Sequence, residues 1–265
     1  MMLDTLHMVL GVLSGALVGF SLGLVGGGGS ILAVPLMVYL VGVKSPHIAI
    51  GTSALAVAAN AALGLFNHSR HGTVKWRCGL MYAGAGIAGA FAGSTAGKAF
   101  DGQRLLFLFA IVMIVVGILM LRRRNVVGIE DAQCNRGNAP KVLGYGLGTG
   151  AFSGFFGIGG GFLIVPGLIA STSMPMINAV GTSLVAVTAF GLTTALNYAF
   201  SGLVDWLLAA LFIGGGIIGS LAGTKAAKRL SGGGHLTSVF ASLIFVVAAY
   251  MLLKSGSALI YPEVR

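Results

Sequence analysis

Two glycine runs and two hydroxyl-bearing triplets are the residues of this chain best suited to chemistry. The runs are Gly26–Gly29, followed at once by Ser30, and Gly157–Gly161; the triplets are Gly51-Thr52-Ser53 and Gly181-Thr182-Ser183. Each run leads into a short apolar segment with a proline a few residues on, Pro35 and Pro166. A helix that begins after such a break leaves its first N–H groups unpaired and its positive dipole end exposed, and both attract an anion. Two such ends, at about half a unit of charge each, suit a monoanion. Threonine and serine hydroxyls can assist without a permanent buried charge. The candidate substrate-binding residues are therefore Gly27, Gly28, Gly29, Ser30, Thr52, Ser53, Gly159, Gly160, Gly161, Thr182 and Ser183. Asn60, Asn67, Asn197, His68, Arg70 and His71 are secondary candidates.

The pairing of these features is what gives them weight. Residues 51–100 return as 181–230 with 18 of 50 positions identical, and Gly26 through Pro35 matches Gly157 through Pro166 one residue out of that register. Shared hydrophobicity does not produce that many identities, so the chain reads as a duplication. A single glycine run is more simply a turn, and a single Thr-Ser pair a helix cap; recurrence of both in both halves favours a site, which in duplicated carriers lies where the halves meet. No Lys-Ser/Thr pair follows either run, so a nucleotide phosphate loop is excluded.

What is missing narrows the chemistry. The acidic residues are Asp4, Asp101, Glu130, Asp131, Asp205 and Glu263, none of them mid-segment. That disfavours a cation substrate and a carboxylate proton relay. Export of an anion from a negative-inside cell is downhill by about 2.3 kcal/mol per charge per 100 mV and needs no coupling ion. No Ser/His, paired-carboxylate or metal-ligand set lies within the segments, so no enzyme activity, catalytic residue, metal or cofactor is expected. Cys78 and Cys134 read as two ordinary thiols, and a disulfide between them is not expected.

The elements that position these residues must lie in lipid. Apolar residues make up 56% and charged residues 8% of the 265, mean hydropathy is +0.96, and soluble domains carry about 25% charged residues. The net charge of +10 sits at the ends of apolar runs, as positive-inside topology produces, so nucleic acid is not an expected partner. Five apolar segments are expected in each half: 5–25, 30–43, 46–67, 78–97 and 103–122, then 141–157, 160–172, 176–198, 205–226 and 235–254. The second of each set rises only ~20 Å and reads as a half-helix. Glycines at i+4 spacing (Gly11, Gly15, Gly19 and Gly23; Gly146, Gly150 and Gly154; Gly89, Gly93 and Gly97; Gly215, Gly219 and Gly223) read as faces for close helix packing.

Loop charge sets the orientation. Arg122, Arg123, Arg124, Arg136 and Lys141 place the central loop in the cytoplasm, and the 68–77 loop and the 225–235 loop follow by counting. The equivalent loop of the second copy, 199–205, falls outside and carries only Asp205. The bias thus switches loops between copies, as an inverted repeat requires; Lys98 and Arg104, in an external loop, run against it. No basic residue precedes Lys44, so the first segment is expected to stay in the mature chain. The expected fold is an all-α polytopic membrane protein of two inverted repeats with broken helices: 1–122, a cytoplasmic linker 123–140, 141–254 and a tail 255–265, with both termini external. Trp76 and Trp206 read as interface anchors. His68, Arg70 and His71, opposite Tyr198, Phe200 and Ser201, read as an interfacial basic cluster or an anion-gathering vestibule.

The paired glycine breaks with their prolines, the two Gly-Thr-Ser triplets, and Gly72-x-Val74-x-Trp76 with Gly202-x-Val204-x-Trp206 resemble the TauE/SafE family of sulfite and organosulfonate exporters. The resemblance covers nearly the whole chain apart from 123–140 and the last ten residues. It implies a bacterial inner-membrane permease for small sulfur-containing anions; the glycine breaks and the inversion place the anion between half-helix N-termini near the bilayer centre. The family often carries Gly-x-Val-Asp in both copies; here Lys75 stands where the second copy has Asp205, so a symmetric role for the acid does not carry over. The alternative is an anion channel, or a permease for another small oxyanion or carboxylate, importing rather than exporting. The expected partners are the anionic substrate and the lipid bilayer, with a homodimer left open.

Overall fold

The structure is a computed structural model and describes residues 5–122, 134–157, 161–230 and 244–254. The described residues are helical: α1 (Thr5–Val25), α2 (Gly29–Leu40), α3 (Pro46–Arg70), α4 (Trp76–Ala99), α5 (Gly102–Arg122), α6 (Ala139–Phe156), α7 (Gly161–Thr172), α8 (Met176–Ala199), α9 (Trp206–Leu230) and α10 (Ile244–Lys254). Helices α1, α3, α5, α8 and α9 each contain a stretch long and apolar enough to cross a membrane. α4 and α6 are built on glycine and alanine, and their partners are other helices.

Local chemistry accounts for the boundaries. Pro46 stands at the first turn of α3, where its missing N–H costs nothing, and the Ser45 hydroxyl accepts the Ile48 N–H at 3.5 Å. α3 and α8 end in the same turn: Gly72 and Gly202 both take positive φ (67° and 68°), and the N–H groups of Thr73 and Leu203 return to the carbonyls of His68 and Tyr198. Only glycine takes that conformation without strain. The two turns lie 130 residues apart and share one backbone conformation.

The halves interleave. α1 packs along α9 and α6 along α4, so each glycine ladder finds its partner in the other half. Gly15 lies on the backbone of Phe212 and Gly19 on that of Gly216; in the other pair Gly146 lies on Tyr82, Gly150 on Gly86 and Gly154 on Ala90. The residue numbers rise together, so both pairs are parallel. A Cβ at these positions would land on main-chain atoms, and in lipid, where no hydrophobic drive holds helices together, such close approach supplies much of the attraction. α3 and α8 run antiparallel between the pairs: Gly191 meets Ala54 and Ala58, and Gly64 meets Leu184. Leu6, Val9, Leu13 and Leu17 form an exposed apolar stripe on α1, opposite the buried Ser14 and Val18. That is the face a lipid-bathed helix presents.

The two half-helices expected after the glycine breaks differ. α7 is a regular α-helix that contains Pro166. A 3-10 turn (Gly26–Leu32) leads into α2 and forms its first residues, α form holds only over Ala33–Pro35, and the helix closes in a π turn over Leu36–Leu40. Four consecutive glycines tolerate the tighter turn, and proline, which lacks an N–H and crowds the carbonyl four residues back, shifts the pattern that follows it. Of the candidates in the second run, Gly159 and Gly160 lie outside the described residues.

One expectation is overturned. Cys78 and Cys134 form a disulfide, with Cα atoms 5.3 Å apart and both residues buried. The chain just before α6 lies against the first turns of α4, and a separation of 56 residues across two spanning helices left that proximity invisible in sequence. Lys98, which opposed the orientation argument, is tied into the end of α8: its ammonium donates to the Asn197 carbonyl (3.1 Å), to Asn197 Oδ1 (2.9 Å) and to the Ser201 hydroxyl (2.9 Å).

Candidate functional site

Each Gly-Thr-Ser triplet meets the other half through the same contact. Thr52 Oγ1 accepts the Asp205 N–H at 2.9 Å, and Thr182 Oγ1 accepts the Lys75 N–H at 2.9 Å. Gly51 lies against Leu203, Val204 and Tyr198, and Gly181 against Thr73 and His68. The glycines are required because a Cβ would strike the facing loop. The two threonines are fully buried, and each accepted N–H leaves the hydroxyl proton to give to another group. The serines beside them are committed locally: Ser53 donates to the Ile50 carbonyl at 3.0 Å and Ser183 to the Val180 carbonyl at 2.7 Å.

The glycine breaks lie against the helices that carry the triplets. Gly157, with φ of 68°, closes α6 and lies on Ile50 of α3, next to Gly51 and Thr52. The 3-10 turn holding Gly27, Gly28, Gly29 and Ser30 touches α8, which carries Thr182 and Ser183. Gly157 thus stands beside the triplet of the first half, while the 3-10 turn meets α8 and also touches α7. Gly29 sits against the α1 backbone at Ser21 and Leu22, and Ser30, Gly161 and Phe162 are buried.

The secondary candidates divide by what they touch. Asn197 is fully engaged: besides Lys98, its Nδ2 donates to Ser94 Oγ (2.6 Å) and Thr95 Oγ1 (3.0 Å). His68 Nδ1 pairs with Thr73 Oγ1 at 2.9 Å, His71 Nδ1 with the Asn67 carbonyl at 2.7 Å, and the Arg70 guanidinium lies 4.1 Å from the centre of the Phe66 ring. Asn60 is different. It is 1% exposed, midway along α3 beside Gly216, and neither polar atom of its amide has a partner. A Cβ-less residue at 216 is what leaves room for it; at the equivalent place in the other half Phe190 fills the space beside Gly86.

Two further residues were not among the sequence candidates. His47 Nδ1 and Tyr198 Oη are both buried and without partners, and their rings lie 6.3 Å apart. For Tyr198 a signal existed in its departure from His68 across the repeat; for His47 the sequence offered none. A cleft of about 430 Å³ opens on the neighbouring face of α3, lined by the 41–45 loop, Ile48 and the 204–208 stretch, with Lys44 and Asp205 among its walls.

Comparison with known proteins places the chain. Residues 11–251 match the family described as Sulfite exporter TauE/SafE. A probable membrane transporter protein of Xylella fastidiosa (strain 9a5c) is 53% identical over 249 residues, which cover 93% of this chain and 95% of that protein. Probable membrane transporter proteins of Bacillus subtilis (strain 168) and Methanocaldococcus jannaschii are 28% and 27% identical, over 79% and 89% of this chain and 86% and 94% of their own lengths. No solved structure matches.

Proposed function

The chain belongs to the TauE/SafE family and is a multi-pass membrane transporter, and from that premise we propose that it exports small sulfur-containing anions such as sulfite or organosulfonates. The observation that carries this reading is the matched pair of contacts by which Thr52 accepts the Asp205 N–H and Thr182 the Lys75 N–H, with Gly157 lying on Ile50 beside the first triplet. Irregular backbone inside a membrane is tolerated where protein or a cavity satisfies it; with the left-handed Gly157 beside the Thr52 triplet and the 3-10 turn against α8, the interleaved halves make a site that movement of one half against the other would open and close. Thr52 and Thr182, each polarised by the N–H it accepts, donate to the anion; Asn60 adds an amide midway along α3. Asp205, the acid at these junctions among the described residues, is engaged by the first turn of α9, its Oδ1 accepting the Leu208 N–H at 3.0 Å.

Orientation follows from charge. The face that carries Arg70, Lys75, Arg77, Arg136 and Lys141 is placed in the cytoplasm, so the Thr182–Lys75 junction is internal, the Thr52–Asp205 junction external, and both termini external, in a bacterial inner membrane. The repeats are then inverted, with α3 and α8 as their antiparallel centre. Lys98 is no exception in kind, since it is held by the carbonyl and side chains of α8 instead of standing free in the loop. Proteoliposomes containing the purified chain are expected to pass sulfite or a sulfonate with saturable kinetics. Flux no greater than in empty liposomes, across a panel of sulfur oxyanions and carboxylates, would remove the proposal; unsaturable flux would turn it into a channel.

A further inference from the structure

The external junction holds polar groups that its internal counterpart lacks. Tyr198 is 0% exposed and its hydroxyl has no partner, and His47 Nδ1 is buried without one. Tyr198 Cβ stands 2.8 Å from where a Cβ on Gly51 would be, so the pair lies beside the triplet, one residue from the Ile50 that receives Gly157. At the internal junction the residue equivalent to Tyr198 is His68, and Thr73, in place of Leu203, satisfies its Nδ1; the residue equivalent to His47 is Ile177. The same architecture therefore closes its polar groups at one end and leaves them open at the other. Buried donors left open are costly and rare in folded chains, which directs attention to a ligand that closes them.

The charge around the pair specifies the ligand's sign. The Lys98 ammonium lies 5.9 Å from the centre of the Tyr198 ring. Its three hydrogen bonds go to neutral oxygens of Asn197 and Ser201, and none goes to a carboxylate. We infer that His47 and Tyr198 form an external anion station, at which Tyr198 Oη–H and His47 Nδ1–H donate to a small oxyanion held in the field of Lys98. The inference rests on the transport reading above and deepens it. An outgoing anion leaves the Thr52 junction by exchanging Thr52 for these donors, one turn nearer the end of α3. Nothing covalent occurs at the station; it replaces water around the anion.

The test is binding of sulfite and methanesulfonate to the purified full-length chain, by titration calorimetry and by thermal shift, in wild type, Tyr198→Phe, His47→Gln and, as a distant control, Tyr250→Phe. Y198F and H47Q are each expected to weaken sulfite binding about tenfold, the loss of one charge-assisted hydrogen bond, while Y250F does not. Y198F is also expected to leave the melting temperature of the ligand-free chain unchanged or raised, because it deletes an unpaired hydroxyl; a tyrosine of purely structural value would lower it. Sulfite binding by wild type that both variants retain in full would overturn the station and leave the transport reading intact. No binding of either anion by wild type, together with no flux, would remove both.

Discussion

The two ends of the α3–α8 pair are built on one hydrogen bond and furnished with different side chains. At each end a threonine one turn into a helix accepts the N–H of the residue before α9 or α4, and a glycine lets that loop approach. At one end Lys75 supplies the N–H, and His68, Thr73 and Asn178 close on one another, the Asn178 amide donating to the Thr73 carbonyl at 3.1 Å. At the other end Asp205 supplies it, and His47 and Tyr198 stay open. Backbone geometry is common to the two copies because the duplication preserved the glycines and threonines that dictate it. The likeness makes the scaffold; the difference lies in which polar groups find partners.

The largest effect should fall where the halves are most alike. Gly19→Val and Gly150→Val place a branched side chain on the backbone of Gly216 and Gly86 respectively, and both are expected to abolish recovery of folded protein, since backbone cannot retreat as a side chain can. Normal yield and melting of either variant in detergent would mean that α1–α9 and α4–α6 are not packed as equivalents. Next comes a site where the halves differ: Phe190→Ala empties the space beside Gly86 and should cost about 3–5 kcal/mol, whereas Asn60→Leu deletes an unpartnered amide and should leave stability within about 1 kcal/mol while impairing transport. Equal stability losses would erase that contrast.

Smaller again, Thr52→Val and Thr182→Val each leave one N–H unpaired and should each cost about 1–3 kcal/mol; a clear inequality would show that one junction does not hold the halves together. The smallest effect concerns the cysteines. Leu208 stands in the second copy where Cys78 stands in the first, so the disulfide marks one face alone. With that face in the cytoplasm, cellular thiols keep the pair reduced, and alkylation of lysed cells without added reductant should label Cys78 and Cys134, whereas the purified, air-oxidised chain resists it. A link already formed in the cell would place that face outside.

Much of this architecture was legible because it is local. The helix start at Pro46 and the packing role of the ladders follow from residue type and spacing, whereas α4 begins at Trp76, two residues before the segment expected from hydropathy. The paired triplets were recognisable as special through recurrence. What spacing does not carry is which ladder meets which: nothing in Gly15 or Gly19 names α9 as partner, and nothing in Gly157 names Ile50. The Cys78–Cys134 link was missed for the same reason. The irregular course of α2 was hidden because its sequence matches that of α7, and four glycines fit more than one tight backbone. His47 escaped notice as a lone histidine at a helix start, where its significance depends on a tyrosine 151 positions away.

The central claim is that the two junctions act on one anion. Its most direct test is the rate of labelled sulfite flux in proteoliposomes for wild type, T52V and T182V reconstituted in equal folded amounts. The account predicts saturable flux in wild type and at least a tenfold loss in each variant, because one hydroxyl in each half serves the same substrate. Wild-type flux that survives either substitution undiminished would contradict it.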